Sequence, residues 1–376
     1  MSDEEENQDL KEPPKIEDDP IEEDKDPKPD PMEDRNKTRE LIKNGLSQIS
    51  KTANGSGYAY VNLSLIEKEI SNVYDLMPNY PHLRYLNISN NKIKDLSGLK
   101  SLNFLIFLNA SGNQIADLEF LNERGTLNYL QLVILSNNRI KKLTPIQVPK
   151  LRKLNLNGNR LEDLSEFKGH HTLEVLEIRK NRLKSLEGLK DLHNLIELYA
   201  AENYLTSFKE LRNLPQLKKL HLRENQLESL NFELPELPHL YHLNIRANKI
   251  SDLKSILNLK KYATMLSLTM HQNPAIDEVG DGAKREIIMI LGYLNRVNKE
   301  EITKEDRDDA KNELKERKRI EEEKKKEAEE EERQRIQKEL EEQEERRKEE
   351  EANAAANVKE VVEEQKEKEG EVQETE

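Results

Sequence analysis

Residues 151–161 read LRKLNLNGNRL, and the same spacing of leucines before one asparagine returns in residues 173–183 as LEVLEIRKNRL. The shared pattern is L-x-x-L-x-L-x-x-N-x-L, with isoleucine accepted at some leucine positions. Eight strong copies occur, starting at Leu83, Leu105, Leu130, Leu151, Leu173, Leu195, Leu217 and Leu240. Weaker copies at Tyr60 and Met265 open and close the series, as expected of terminal units that act as caps. Self-similarity at a fixed period predicts a solenoid.

The asparagine of each copy sets the period of this array. Successive asparagines are 21 to 25 positions apart, most often 22, and they are Asn91, Asn113, Asn138, Asn159, Asn181, Asn203, Asn225, Asn248 and Asn273. At a buried turn between coils, an asparagine amide satisfies backbone groups of its own and the neighbouring coil. An unpaired group there costs about 1 to 3 kcal/mol. We therefore predict a structural asparagine ladder and no ligand site at these positions.

This period and these residue types identify the array as leucine-rich repeats, so the predicted fold is an α/β solenoid. Each 22-residue unit should contribute one short parallel strand and return along a back face of 3₁₀ turns and small helices. About ten rungs spaced by about 4.8 Å give a concave sheet about 43 Å long. That length suits a protein partner better than a metabolite.

Composition separates the array from its two flanks. Residues 1–40 hold 17 acids and 7 bases, residues 41–298 hold 26 and 34, and residues 299–376 hold 32 and 20. With 34% hydrophobic and 36% charged residues, the whole chain cannot form one globule. The predicted organisation is a disordered acidic arm (1–35), an N-terminal capping helix and loop (36–59), the repeats (60–276), a C-terminal cap (277–302), a long charged single helix (303–351) and a disordered tail (352–376).

Both ends of the array carry a predicted cap. A helix over residues 36–50 should cover the first rung with four apolar residues near one face, Leu41, Ile42, Leu46 and Ile49. At the other end, residues 284–302 are predicted to begin as a helix that carries Ile287, Ile288 and Leu291.

The C-terminal segment is predicted to be a single helix. Residues 303–351 are nearly all Glu, Lys, Arg and Gln, with many Glu residues four positions before a Lys or Arg. Their few apolar residues do not follow the alternating threes and fours of a coiled-coil seam. We therefore expect a solvated helix about 74 Å long, and no homo-oligomer built from it.

The strand side chains that point away from the core form the candidate partner-binding face. Early rungs present large apolar residues there, Tyr85, Phe107, Leu132 and Ile134. Later rungs present Arg179, Tyr199, Arg223 and Arg246. Exposed apolar side chains on adjacent rungs are typical of a partner site. The alternative is that a flanking loop or the acidic arm covers them, and the arginine column is also compatible with an ordinary solvated face.

Other functional classes find no support in the residues. The chain has no cysteine, which excludes a disulfide framework, a cysteine-ligated zinc site and a thiol nucleophile. His221, His242 and His271 fall in three different columns, so their rings should diverge and hold no metal. We expect no catalysis, no cofactor and no small-molecule substrate. No apolar run reaches 18 residues, so no membrane span is expected. The excess of bases in residues 41–298 is too dilute for direct nucleic-acid binding.

The flank before the repeats carries the most specific resemblance. Residues 45–93 read GLSQISKTANGSGYAYVNLSLIEKEISNVYDLMPNYPHLRYLNISNNKI. This stretch resembles the start of the radial-spoke leucine-rich repeat proteins of motile cilia. The resemblance implies a structural subunit in the cytoplasm and cytoskeleton, at the axoneme of the cilium or flagellum. It also implies other radial-spoke proteins as partners and a contribution to ciliary beating.

Two other classes stay open at this point. An array of 22-residue units also resembles the leucine-rich regulator of type-one protein phosphatase, although that protein lacks this flank and the long tail. An adaptor that holds an RNA-binding partner, like the leucine-rich protein of the spliceosome, is the third reading.

Overall fold

The computed structural model describes residues 31–52, 55–73 and 77–372. The predicted acidic arm lies outside these ranges except for residues 31–35, which belong to a helix. Residues 373–376 of the predicted tail also lie outside them.

One sheet of 13 strands, in chain order, runs through the described residues. Strands β2 to β12 pair in parallel, and the flanking strands β1 and β13 pair antiparallel with their neighbours. Ten of the strands, β2 to β11, come from the ten sequence copies, which confirms the predicted solenoid. The strands are β1 (Leu46–Lys51), β2 (Tyr58–Ser64), β3 (Tyr85–Asn87), β4 (Phe107–Asn109), β5 (Leu132–Ile134), β6 (Lys153–Asn155), β7 (Val175–Glu177), β8 (Glu197–Tyr199), β9 (Lys219–His221), β10 (His242–Asn244), β11 (Ser267–Thr269), β12 (Arg296–Val297) and β13 (Glu300–Glu301).

A continuous core runs between this sheet and the back face. In the repeats, the middle residue of each three-residue strand points inward, as Leu86, Leu108 and Leu154 do, and is fully buried. The back face contains short 3₁₀ helices in several repeats, at Met77–Asn79, Ser97–Ser101, Glu119–Leu121 and Leu253–Lys261. Each coil buries its apolar residues only against its neighbours, which explains why the pattern must repeat without interruption.

A left-handed residue precedes every ladder asparagine. From Asn90 to Gln272, these nine residues have φ between 52° and 66°. Glycine occupies two of these positions, and at Gly158 an added Cβ would clash with Oδ1 of Asn137. The left-handed turn bends the chain out of the strand and lets the next side chain, the asparagine, point into the stack.

The N-terminal cap differs from its prediction. Helix α1 spans Pro31–Gly45, and residues 46–51 form strand β1 instead of continuing the helix. Ile42 is fully buried against the first rung, whereas Ile49 lies on β1 and is 63% exposed. The helix ends where Gly45 lies against the backbone of β2, since an added Cβ would meet the Ser64 carbonyl oxygen at 2.5 Å. The strand then pairs with the edge of β2, which would otherwise leave backbone groups open.

The C-terminal cap begins as a helix, and the helix ends at Ile290. Helix α2 (Pro274–Val279) and helix α3 (Ala283–Ile290) are followed by β12 and β13. Ile287 and Leu291 are fully buried, as a cap requires. After this helix, the chain adds β12 and β13 to the end of the sheet, beside β11.

Helix α4 spans Lys304–Val372 and passes the predicted end at residue 351. The disordered tail predicted for residues 352–376 is therefore wrong as far as Val372. Alanines at 352 and 354–356 explain the continuation, since alanine has the highest helix propensity. Among the described residues, no helix is both long and apolar enough to cross a membrane.

The base of α4 is attached to the cap. Ala310 is 2% exposed, and Arg307 donates hydrogen bonds to the carbonyl oxygens of Gly292 and Leu294, both at 2.6 Å. Arg317 forms an ion pair with Glu286 of α3 at 2.5 Å. The helix thus leaves the solenoid in a direction fixed by its first turns.

Candidate protein-binding face

The first and third residues of each repeat strand form two outward rows on the concave side of the sheet. Backbone pairing fixes these rows. The first row contains Tyr85, Phe107 and Leu132 on β3, β4 and β5, each paired directly with the next. Ile134 lies in the second row, paired with Asn109. Tyr85 is 43% exposed, and the other three side chains are partly buried. These four residues are contiguous and are called the apolar patch below.

The N-terminal hairpin adds exposed apolar side chains next to this patch. Ile49 on β1 pairs with Tyr60 on β2, which is 46% exposed, and Tyr58 is 70% exposed. This extension was not predicted, because Ile49 was expected on a helix and lies on β1. The alternation of Tyr58 and Tyr60 with Ala59 and Val61 was the available signal for a strand.

An aromatic stack along the edge of the sheet was also missed. The rings of His82, Phe104 and Tyr129 stack at centroid separations of 5.9 and 6.0 Å, and the Lys150 amine lies 4.3 Å from the Tyr129 centroid. All four residues directly precede the first leucine of their copies. A comparison of that one column across repeats would have shown the stack.

Ion pairs neutralise the carboxylates in the middle of the concave face. Lys153 lies 2.6 Å from Glu177, and Lys219 lies 2.7 Å from Glu197. Asn155 also donates to Glu177, at 3.0 Å. These residues bridge adjacent strands across the sheet, and they leave little free charge there.

Arg179 and Tyr199, both predicted partner-binding residues, contact each other. The Arg179 guanidinium lies 4.5 Å from the centroid of the Tyr199 ring. The Tyr199 hydroxyl donates to Glu197 at 2.7 Å. Burial, reinforced by this hydrogen bond, raises the pKa of Tyr199 to about 12. Tyr199 therefore acts as a fixed support for Arg179.

The expected divergence of the histidine rings is wrong for one pair. The His221 ring lies 5.0 Å from that of His242 and 4.7 Å from that of Tyr199. His242 Nδ1 also lies 2.8 Å from the Ser267 hydroxyl. These side chains can meet although they lie in different columns, because β9 and β10 are adjacent paired strands. Burial lowers the pKa of His221 to about 4. Within the described ranges, no group of three or more His, Cys, Asp or Glu residues could hold a metal ion.

Arginines occupy one column two positions after the strands. Arg179, Arg223 and Arg246 each lie two residues before a ladder asparagine, and Ala201 interrupts the column. Arg246 Nε donates to Gln272 at 2.6 Å, and Arg223 pairs with Glu224. The three arginines are called the cationic column below. The structure thus separates the predicted site residues into an apolar group and a cationic group on one face.

The nine asparagines form a hydrogen-bonded ladder beside this face. Each is less than a tenth exposed, and each Oδ1 accepts an N–H of the preceding coil. Each Nδ2 donates to carbonyl oxygens of its own and the preceding coil, as Asn181 does to Ile178 and Leu156 at 3.0 Å. Both ends of each side-chain amide are therefore hydrogen-bonded within the stack.

Comparisons with known proteins agree with this architecture. The family model described as leucine-rich repeats (2 copies) matches residues 81–123 and 130–169. A solved leucine-rich repeat protein of Leptospira interrogans aligns with a TM-score of 0.51 at 24% identity, covering 63% of this chain and 60% of that one. This likeness concerns the fold alone.

Full-length relatives give a closer match. Leucine-rich repeat-containing protein 23 of Homo sapiens is 34% identical over 289 residues, which covers 76% of this chain and 82% of the relative. The protein of the same name in Xenopus tropicalis is 36% identical over 275 residues, covering 73% and 77%. The repeats and these relatives support a protein-interaction scaffold. The chain belongs to the leucine-rich repeat-containing protein 23 family.

Proposed function

We propose that this protein is a non-enzymatic structural subunit of the radial spoke in the axoneme of motile cilia and flagella. It holds neighbouring spoke proteins through the concave face of its repeats and through α4, and so supports ciliary beating. The resemblance of residues 45–93 to radial-spoke leucine-rich repeat proteins motivates the cellular assignment, and membership of the family is consistent with it.

The observation that carries the scaffold role is the apolar patch. Tyr85, Phe107 and Leu132 are paired neighbours on three parallel strands, yet no described part of the chain covers Tyr85, which stays 43% exposed. Contiguous exposed aromatic and aliphatic side chains favour a protein interface, because aromatic anchors contribute most of the binding energy there.

The length of helix α4 is a second observation that supports an architectural role. At about 1.5 Å per residue, its 69 residues extend about 104 Å. From residue 314 to residue 354, every side chain of this helix is exposed and most are charged. A helix of this length reaches from one subunit to another in a large assembly, and a compact regulator has no evident use for it.

Localisation tests the proposal. A fluorescently tagged copy should line the axoneme, and electron tomography of a deletion strain should show missing spoke density at a regular spacing. A diffuse or nuclear distribution would contradict the proposal and favour the phosphatase-regulator or RNA-adaptor alternative.

A further inference from the structure

The concave face is divided along its length into two chemical zones. The apolar patch lies on β3 to β5, and the cationic column lies beside β7 to β10. Next to the cationic column, the carboxylates Glu177 on β7 and Glu197 on β8 are already held by lysines. Apolar contact is therefore available at one end and positive charge at the other.

We propose that the concave face binds one helical segment of a partner protein lengthwise, with apolar residues at one end of the segment and a run of carboxylates at the other. The proposal rests on the scaffold role proposed above and specifies the chemistry of the partner. The apolar end of the segment packs on Tyr85, Phe107 and Leu132. Its carboxylates pair with Arg179, Arg223 and Arg246.

The positive charge of the cationic column is only partly compensated. Of its three arginines, Arg223 alone pairs with a carboxylate among the described residues, that of Glu224. Arg246 contacts the neutral Gln272. Arg179 rests on Tyr199, and its Nε is buried without a hydrogen-bond partner in the described structure. Arginine donors fixed in this way favour planar carboxylates, which accept two parallel N–H bonds.

The dimensions of the face favour one helix. From Tyr85 on β3 to Arg246 beside β10 there are seven strand intervals, or about 34 Å at about 4.8 Å each. A helix of about 22 residues has this length. The three-residue strands make the sheet about 10 Å wide, which matches the diameter of a single helix. One helix running across the strands therefore reaches both zones at once.

The test uses two labelled synthetic peptides and the purified full-length protein. The block peptide is a helix-forming 24-residue chain with Leu and Phe in its first half and Glu in its second half. The interleaved peptide has the same composition in mixed order. By fluorescence anisotropy, the block peptide should bind at least tenfold more tightly, because only it can satisfy both zones together.

Charge reversal tests the cationic end. The double variant Arg223→Glu with Arg246→Glu should bind the block peptide at least tenfold more weakly, and it should prefer a block peptide that carries Lys in place of Glu. The matched control Lys254→Glu with Lys260→Glu changes two exposed lysines of a back-face 3₁₀ helix. This control should leave binding unchanged.

Cross-linking tests the direction of the bound helix. A photoreactive group at the apolar end of the block peptide should label residues 85–134, and one at the acidic end should label residues 179–246. Labelling of both regions from either end would overturn the lengthwise arrangement.

Two further outcomes would overturn the proposal. One is equal affinity for the block and interleaved peptides. The other is binding that appears only after residues 1–30 are removed, which would assign the face to this chain's own N-terminal segment. If the tagged protein lines the axoneme while both peptides bind equally, the inference fails and the proposed function stands.

Discussion

Oδ1 of Asn159 accepts a hydrogen bond from the backbone N–H of Ile140, one coil earlier, at 3.0 Å. Its Nδ2 donates to the carbonyl oxygens of Leu135 and Leu156 at 2.9 and 3.0 Å. One buried side chain therefore satisfies backbone groups from two coils. The ladder makes the stacking of each rung depend on its neighbour.

Asn159→Ala should lower the free energy of unfolding by about 2 to 4 kcal/mol, because it leaves several buried backbone groups without partners. Chemical denaturation measures this loss. The control Asn103→Ala changes an exposed asparagine in a turn and should have little effect. An Asn159 variant as stable as the wild type would refute the stabilising role of the ladder.

Ala247→Gly should raise the free energy of unfolding by about 0.5 kcal/mol. Ala247 has a φ of 52°, and the left-handed region costs an L-residue about 1 to 2 kcal/mol that glycine avoids. Glycine loses more conformational entropy on folding than alanine does, and this loss offsets part of the stabilisation. The control Ala59→Gly, in strand β2, should destabilise. A lower stability for Ala247→Gly would show that its methyl group contributes more than the strain costs.

The repeats were predictable because their information is local and redundant. Each copy carries its own leucines and asparagine, so the strand positions and the ladder follow from one 22-residue unit. The two caps were only partly predictable, because their structure depends on contacts with the array. The prediction of a helix at Ile49 was wrong. That segment forms a strand because of the open edge of β2 and the close approach of Gly45 to β2, and neither is visible in the local pattern.

The first turns of α4 should contribute to the stability of the array, whereas the rest should not. A chain ending at residue 321 keeps buried Ala310, the Arg307 hydrogen bonds and the Arg317–Glu286 ion pair. Its melting temperature should equal that of the full-length protein. A chain ending at residue 303 loses all three and should be less stable by about 2 to 4 kcal/mol. Equal melting temperatures for the two truncated chains would show that the attachment of α4 is not stabilising.

Stability should fall as pH decreases from about 6.5 towards 5, in part because of His221. Burial lowers the pKa of His221 to about 4 in the folded protein, so in this range the unfolded state takes up a proton that the folded state does not. His221→Gln removes this difference and should flatten the dependence of melting temperature on pH between 6.5 and 5. An unchanged slope would contradict the assigned burial.

The candidate site was predictable as a set of outward positions but not as a shape. The strand alternation was enough to select Tyr85, Phe107, Leu132 and Ile134. It could not reveal that the rings of His221 and His242 meet, or that Arg179 rests on Tyr199, since those contacts depend on how side chains lean across neighbouring rungs. The separation into apolar and cationic zones needed the register of the whole sheet.

Capture of spoke proteins from an axonemal extract tests the partner-binding role of the concave face most directly. The bait is the full-length protein, compared with a variant carrying Tyr85→Glu and Phe107→Glu. The matched control carries Leu257→Glu and Val279→Glu, two exposed apolar residues away from the concave face. With circular dichroism unchanged in all three, the wild type and the control should capture the same radial-spoke proteins and the Tyr85/Phe107 variant should lose them. Equal capture by the Tyr85/Phe107 variant would contradict the assignment of the apolar patch as the binding surface.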